Sequence, residues 1–326
     1  MHHPLHTPIC DLFGIEYPIL LAGMGGVSTA PLVAAVSNAG GLGVMGAATM
    51  SPEELRKQIR RTRELTDKPF AVDLLAPIPD MMRAPIQVVF EEEVRIFVAG
   101  LAVPGEFIAE MHQRGMKVVV MCGKVRHAQK SEAAGADVVV AQGTEAGGHT
   151  GEVGTMALVP QVVDAVRIPV LAAGGLADGR GLVASLALGA QGAAFGTRFI
   201  ASPEAQAAPG YRQAIVDADD DDTVRTRCYT GKPARTIRNR YVDEWEDKAD
   251  QVQPFPMQAG HSMREGVMDY MGVADHFDRE RTFLPAGQGS GLIHEVKPAA
   301  EIFADIVREA QSIIGQRFQV PTGAAK

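Results

Sequence analysis

Apolar runs without internal alternation recur along the first two thirds of the chain, each followed by a polar turn and a stretch of helical periodicity. Runs of this kind suit strands buried on both faces, as in a parallel sheet. They fall at Pro18–Gly23, Gly43–Ala47, Phe70–Leu75, Val94–Ala99, Lys117–Cys122, Asp137–Ala141, Pro169–Ala173 and Ala193–Phe199. The intervening pattern predicts helices over Ser28–Asn38, from Ser51 onward, and over Ile86–Glu92, Glu106–Gln113, Val125–Ala134, Val159–Val166 and Asp178–Leu188. Local signals agree. Ser28 or Thr29 can cap the first of these helices and Gly40-Gly41 can stop it. Ser51-Pro52-Glu53-Glu54 places a cap, a first-turn proline and two acids where the helix dipole favours them.

Eight β/α units before residue 205 make an α/β chain of the closed (β/α)8 (TIM) barrel type the best account. The competing architecture is a doubly wound open sheet. Its usual dinucleotide turn is missing: Gly23-Met24-Gly25-Gly26-Val27-Ser28 lacks the third small residue, and no acid closes the second strand. After Phe199 the pattern changes. An acidic cluster, Asp217–Asp222, reads as a solvated turn. Arg225, Arg227, Lys232, Arg235, Arg238 and Arg240 follow, then Trp245, Phe255, Met257, Met263, Met268, Tyr270 and Met271 with helical potential. The expected organisation is therefore a barrel over 1–205, a mainly helical insertion over 206–284, and a return segment over 285–326. That last segment holds an amphipathic helix at Val296–Ile314 and a frayed tail at Gln319–Lys326.

Composition narrows the function. Of 326 residues 46% are apolar, enough for a large core, and the net charge of −8 supplies no global basic field for nucleic acid or anionic lipid. Cys10, Cys122 and Cys228 are scattered and odd in number, which speaks against a disulfide framework or a zinc site and fits a cytoplasmic protein. Tyr17–Pro52 carries no charge, but its prolines, glycines and hydroxyl residues break it into strand, helix and strand, so it is not read as a membrane span.

In a barrel of this type the chemistry sits at the C-terminal ends of the strands. Two glycine sites stand there, Gly174-Gly175 before a helix opening at Asp178, and Gly196-Thr197-Arg198. Glycines let backbone N–H groups approach a phosphate, and a helix N-terminus adds a favourable dipole. The loop Gly143–Gly151 holds one imidazole, His149, able to move a proton near neutral pH; the same pattern also fits an ordinary surface histidine. Asp73 is an acid on a strand expected to be buried, either facing the barrel mouth or paired with Lys124 or Arg198. His2, His3 and His6 lie in an N-terminal tail, His112 and His127 on helices, and His261, His276 and His294 in the second region. No HxH, HExxH or carboxylate triad makes a case for a metal.

Four segments together carry a resemblance: Pro18–Met24, Glu145-Ala146-Gly147-Gly148-His149, Ala173–Gly181 and Gly196-Thr197-Arg198-Phe199, with a further match at Ala286–Ile293. The chain resembles the nitronate monooxygenase (2-nitropropane dioxygenase) family. The same segments also resemble flavin-dependent enoyl-acyl-carrier-protein reductases and NADH:quinone reductases. The resemblance implies one non-covalent FMN at the barrel mouth. Ala22, Gly23 and Met24 would line its ring, with Asp73 beside them where family members commonly have Asn. Gln142 and Gly147 would contact it from the sixth-strand loop, Gly174, Gly175, Gly196 and Thr197 would hold its phosphate, and His149 would be the catalytic base. The implied reaction is oxidation of a nitronate or nitroalkane, with O2 reoxidising the flavin. Two alternatives stand beside it: an NAD(P)H-dependent reductase of enoyl thioesters or quinones, and a phosphate-ligand barrel without redox function. The expected partners are small molecules and a second copy in a homodimer, not nucleic acid or membrane. Met121 stands where the quinone reductase branch often has Lys.

Overall fold

The computed structural model describes residues 3–75, 79–272 and 277–317. The barrel strands are β1 (Ile19–Leu21), β2 (Gly43–Gly46), β3 (Phe70–Leu75), β4 (Ile96–Gly100), β5 (Lys117–Cys122), β6 (Val138–Gln142), β8 (Val170–Ala173) and β9 (Ala193–Phe195). The strand β7 (Gly148–His149) lies outside the barrel. All eight barrel strands run parallel in one sheet, in the order β1-β9-β8-β6-β5-β4-β3-β2. The sheet curls back onto its first strand: Leu20 bridges Leu42, and Leu42 N–H donates to Ile19 O at 3.0 Å. The chain is thus the (β/α)8 barrel that its buried, non-alternating runs predict.

Seven helices alternate with these strands: α2 (Ala30–Asn38), α3 (Pro52–Leu65), α4 (Pro79–Glu91), α5 (Gly105–Gln113), α6 (Val125–Ala133), α7 (Thr155–Ala165) and α8 (Gly179–Ala187). The Ser51 cap is realised, its hydroxyl accepting from Glu54 N–H at 3.2 Å. Thr29 occupies the cap position of α2 but makes no side-chain cap bond. Ser28 does different work. Its Oγ accepts from Met24 N–H and Gly46 N–H, both at 2.9 Å, and ties the turn after β1 to the end of β2.

Several predicted boundaries move. The eighth strand ends at Phe195, and Thr197–Ile200, most of it expected as strand, is helical. The helix expected from Val159 begins at Thr155. The helix before β4 begins at Pro79, seven residues earlier than the Ile86 expected from periodicity. The strand itself begins at Ile96 because Glu93 adopts φ +47° and turns the chain. One helix was not anticipated, α1 (Pro8–Phe13). Its Ile9, Cys10 and Phe13 pack with the inward-facing Leu20, Val44, Ala71, Val98, Val119, Val140 and Leu171, and so floor the barrel at the N-terminal ends of its strands. The opposite end is left for chemistry.

Beyond the barrel, α9 (Thr197–Ile200), α10 (Pro209–Val216), α11 (Arg240–Glu246) and α12 (Met257–Arg264) supply the helical content expected after β9. Between α10 and α11 runs a β-hairpin that the sequence reading did not contain, β10 (Thr223–Thr226) paired with β11 (Ala234–Ile237). The arginines of the basic stretch build this hairpin and are engaged by it or by α11, while Lys232 forms no ion pair among the described residues. Arg235 donates to Thr144 O and Thr223 O, Arg225 to Gly151 O and Arg227 to Gly231 O. Arg238 and Arg240 pair with acids of α11. The acidic turn therefore does not serve as their ion-pair partner. Its Asp217 binds Arg279 instead.

The final helix, α13 (Ala299–Arg317), lies against α8. Gly179 permits this contact, since a Cβ there would come within 2.5 Å of Ala310 N. His2, His276, residues 76–78 and the tail Gln319–Lys326 lie outside the described residues.

Candidate active site at the barrel mouth

The segments singled out from sequence meet at the C-terminal ends of the strands. β1 and β9 are neighbours in the sheet, so the turn Ala22–Met24 lies beside Gly196. A Cβ built on Gly196 would sit 3.5 Å from Ala22 Cβ and 3.6 Å from Met24 Sδ. Gly23 touches Asp73 so closely that any side chain at Gly23 would overlap the carboxyl group. β8 carries Gly174 (φ +105°) and Gly175 (φ +72°) at its end, in the left-handed region open to glycine. Among the described residues, the backbone N–H groups of Gly175, Gly196 and Thr197 donate to no acceptor of the chain, while Gly174 N–H continues the ladder toward Ala194. These residues are half-buried, so their N–H groups stay within reach of a ligand. Unengaged donors at two adjacent glycine ends fit an anion, and they fit a phosphate on the cofactor side. Above them, Gly287 N–H donates to Thr197 Oγ1 at 3.0 Å and Gln288 N–H to Glu145 O at 2.9 Å. The return segment thus closes over the same ends. Gly147 is required for that closure, because a Cβ there would lie 2.8 Å from Ala286 C.

Asp73 needs a different account from the one weighed in sequence. On β3, Ala71 belongs to the interior cluster while Val72 and Leu74 face the helices, so Asp73 points inward at the level of the mouth. Neither suggested cation reaches it: Lys124 pairs with Glu152, and Arg198 donates to Glu295 O. Its Oδ1 is buried and has no hydrogen-bond partner. Burial pushes the carboxyl group up to about 8, with only weak opposition from the Gly100 N–H. An orphaned polar oxygen beside Gly23 fits a ring with its own polar edge.

His149 is not on a free loop. With Gly148 it forms β7, which pairs antiparallel with Ala234 and Arg235 of β11. Gln142 Nε2, at the end of β6, donates to His149 O at 2.8 Å. The imidazole Nε2 lies 2.9 Å from Thr230 Oγ1. That hydroxyl also lies 3.2 Å from Lys232 O and 3.3 Å from Lys232 N. A hydroxyl has one hydrogen. If it goes to Lys232 O, Nε2–H donates to Thr230 and Nδ1 keeps the lone pair; if it turns to Nε2, the ring nitrogens exchange roles. In both arrangements the ring is neutral. Burial and the nearby Lys232 charge hold it down to about 4.

Phe255 stands edge-to-face with the imidazole at 6.3 Å between centroids, and Lys232 Nζ lies 4.8 Å over the same phenyl ring. The sequence pattern points to Lys232 and Phe255 only as members of the basic and apolar stretches, and to Thr230 not at all. The signal available was the alternation Ala234-Arg235-Thr236-Ile237, which marks a strand able to carry Thr230 and Lys232 to the mouth.

Tyr270 connects the insertion to the first-strand turn: its hydroxyl donates to Gly25 O at 2.9 Å. Met268 packs among Tyr229, Tyr241 and Phe283 in the insertion's own small core. The two residues should therefore separate on mutation. Tyr270→Phe should loosen the Gly25 turn and weaken flavin retention, while Met268→Ala should lower the melting temperature and leave flavin content unchanged. Flavin-to-protein absorbance ratios and thermal melts check both. Among the described residues no cluster of His, Cys, Asp or Glu could hold a metal ion, and no helix is long and apolar enough to cross a membrane.

Fold and site together define a flavin-type oxidoreductase on a (β/α)8 barrel. Residues 6–309 match the family model described as nitronate monooxygenase, and the chain belongs to that family. A relative from Staphylococcus saprophyticus, described as a probable nitronate monooxygenase, is 35% identical and covers 96% of this chain and 99% of its own. Among solved structures, FabK from Thermotoga maritima superposes with a TM-score of 0.88 at 41% identity, covering 96% of this chain and 98% of its own. A nitroalkane oxidase from Streptomyces ansochromogenes gives a TM-score of 0.83 at 32% identity, covering 94% and 99%. Membership of an enzyme family sets aside the reading as a non-redox binding barrel.

Proposed function

We propose that the protein is an FMN-dependent nitronate monooxygenase, with His149 as the base and the barrel mouth as the site. The observation that carries this reading is the pairing of a neutral imidazole with a lysine that has no carboxylate partner. Lys232 forms no ion pair among the described residues, and its ammonium lies over Phe255 within electrostatic reach of His149. A carbon acid that loses a proton to His149 becomes an anion, and Lys232 is placed to hold that anion. FMN, when bound, supplies the two-electron acceptor that can then be reoxidised by O2.

Ala22, Gly23, Met24 and Asp73 would border its ring, Gln142 and Gly147 its sixth-strand side, and Gly174 with the N–H groups of Gly175, Gly196 and Thr197 its phosphate. The chain's own tasks are to orient the substrate, keep water out with the 206–284 wall, and move one proton at the imidazole. The cytoplasm, small-molecule substrates and a homodimer complete the reading.

A second reading, an NAD(P)H-dependent reductase of enoyl thioesters or quinones, draws on the 41% identity with FabK. There His149 would give a proton to the reduced substrate. The long basic stretch contributes little to binding a nucleotide or pantetheine phosphate, because its arginines are engaged within the hairpin and with α11. Anaerobic mixing separates the two. Under the first reading a nitronate bleaches the flavin within a turnover and NADH or NADPH does so only slowly. Rapid bleaching by a reduced nicotinamide, with none by nitronate, would establish the reductase.

A further inference from the structure

The apolar setting of Asp73 makes it the most unusual polar group in the barrel. β2 packs on one side of it, with Gly46 in register, and β4 on the other, with Val98 in register. The turn Ala22–Gly26 covers it at Gly23. None of these three segments carries a titratable side chain. The interior residues below are Ala71, Val98, Val119 and Val140. Of the titratable groups at the mouth described above, His149 is neutral down to about pH 4 and Tyr270 is pushed up to about 12 by burial. Neither these two groups nor any side chain of the three segments packed against Asp73 changes charge between pH 6 and 9. A carboxylate in such a place has no cation to stabilise it and only the weak help of the Gly100 N–H, and one of its oxygens, Oδ1, is buried and finds no partner in the chain.

A neutral carboxylic acid differs from a carboxylate in what it can offer a ligand. It has one O–H donor and a carbonyl acceptor, so like an asparagine side-chain amide, with its two N–H donors and carbonyl, it can both give and take a hydrogen bond; the carboxylate is acceptor-only. We propose that Asp73 meets the flavin as a neutral carboxylic acid, offering one donor and one acceptor, so that a single proton on this residue controls cofactor affinity. The proposal rests on the FMN reading and adds to it a proton-linked step: the protein that holds cofactor carries a hydrogen at Asp73, and losing that hydrogen places a negative charge against the ring in a dry pocket.

Holoenzyme is equilibrated at intervals from pH 6 to 9, and the dissociation constant is obtained from the fluorescence of released FMN. Wild-type affinity should be level up to about pH 7.5 and then weaken toward a slope of about tenfold per pH unit, one proton being linked to binding. Asp73→Asn should bind as tightly at pH 6 and show no such slope. The FMN phosphate, with its second pKa near 6, is already doubly charged over the range where the slope is expected. A level wild-type profile through pH 9, or the same slope in both proteins, overturns the proposal while leaving FMN binding intact. Absence of FMN binding at pH 6 in wild type overturns the flavin reading and the proposal with it. The wild-type profile decides by itself if the variant yields no soluble protein.

Discussion

Replacing His149 with alanine should lower turnover of a neutral nitroalkane by roughly two to four orders of magnitude, the usual worth of a positioned acid–base group. Turnover of a preformed nitronate should fall much less, because that substrate has already lost its proton. The variant should keep its fold and cofactor. His149 is held by backbone pairing to Ala234 and by Gln142 through its carbonyl, and neither contact involves the imidazole. Equal small losses for both substrates would reduce His149 to a bystander, and equal large losses would make it an anion-holding or positioning group.

The pH profile gives a second, independent reading. An unperturbed imidazole would produce an ascending limb near pH 6.5. Here the ring sits at about 4, pushed there by burial first and by the Lys232 charge second. The base is competent wherever it is neutral, which means above that value. The limb should accordingly fall near pH 4, and the rate should be level through neutrality as far as this group is concerned. Lys232→Met removes the neighbouring cation and should move the limb upward. It should also weaken use of an anionic substrate. A wild-type limb at 6.5 would show that the imidazole is more solvated than its surroundings imply.

The second large effect concerns cofactor retention. Gly196→Leu should yield a folded, colourless protein. Gly196 is the informative choice among the glycines. Its φ of −109° is open to any residue, and a Cβ there meets only ordinary contacts with Ala22 and Met24. The added side chain therefore costs the barrel little and fills the space above the β1 and β9 ends. Gly174 is a poorer probe. Its φ of +105° strains any other residue, and a Cβ would lie 3.0 Å from Gly143 O, so loss of flavin there could follow from a displaced loop. A Gly196→Leu protein that purifies with a full complement of FMN would remove the phosphate assignment at this end.

Much of this was legible in the sequence because buried parallel strands write themselves as unbroken apolar runs. The runs at Gly43, Phe70, Lys117 and Pro169 needed little correction. The β4 entry was misjudged because Val94 and Arg95 continue the apolar-rich pattern while Glu93 turns the backbone. The hairpin at β10 and β11 was hidden by its own arginines. Alternating charge and small residues read as a basic patch until pairing put Arg235 indoors. The glycine ends and His149 could be named from spacing, but Thr230, 81 residues further along, could not, since that proximity is created only when β11 joins β7. Asp73 was visible as an odd acid on a strand. Its isolation was not, because the cations that might have answered it had to be followed to their actual partners.

The ladder between β7 and β11 has a consequence for how this family can diversify. The strand that carries the imidazole is stitched to the segment proposed above to wall the substrate pocket, so under that proposal the insertion is not an interchangeable lid. Grafting a relative's 206–284 region onto this barrel would replace the residues opposite Gly148 and His149, together with Thr230 and Lys232. Under the proposed roles, chemical step and substrate choice would be inherited as one unit, and new specificities would arise by change within the hairpin's existing register.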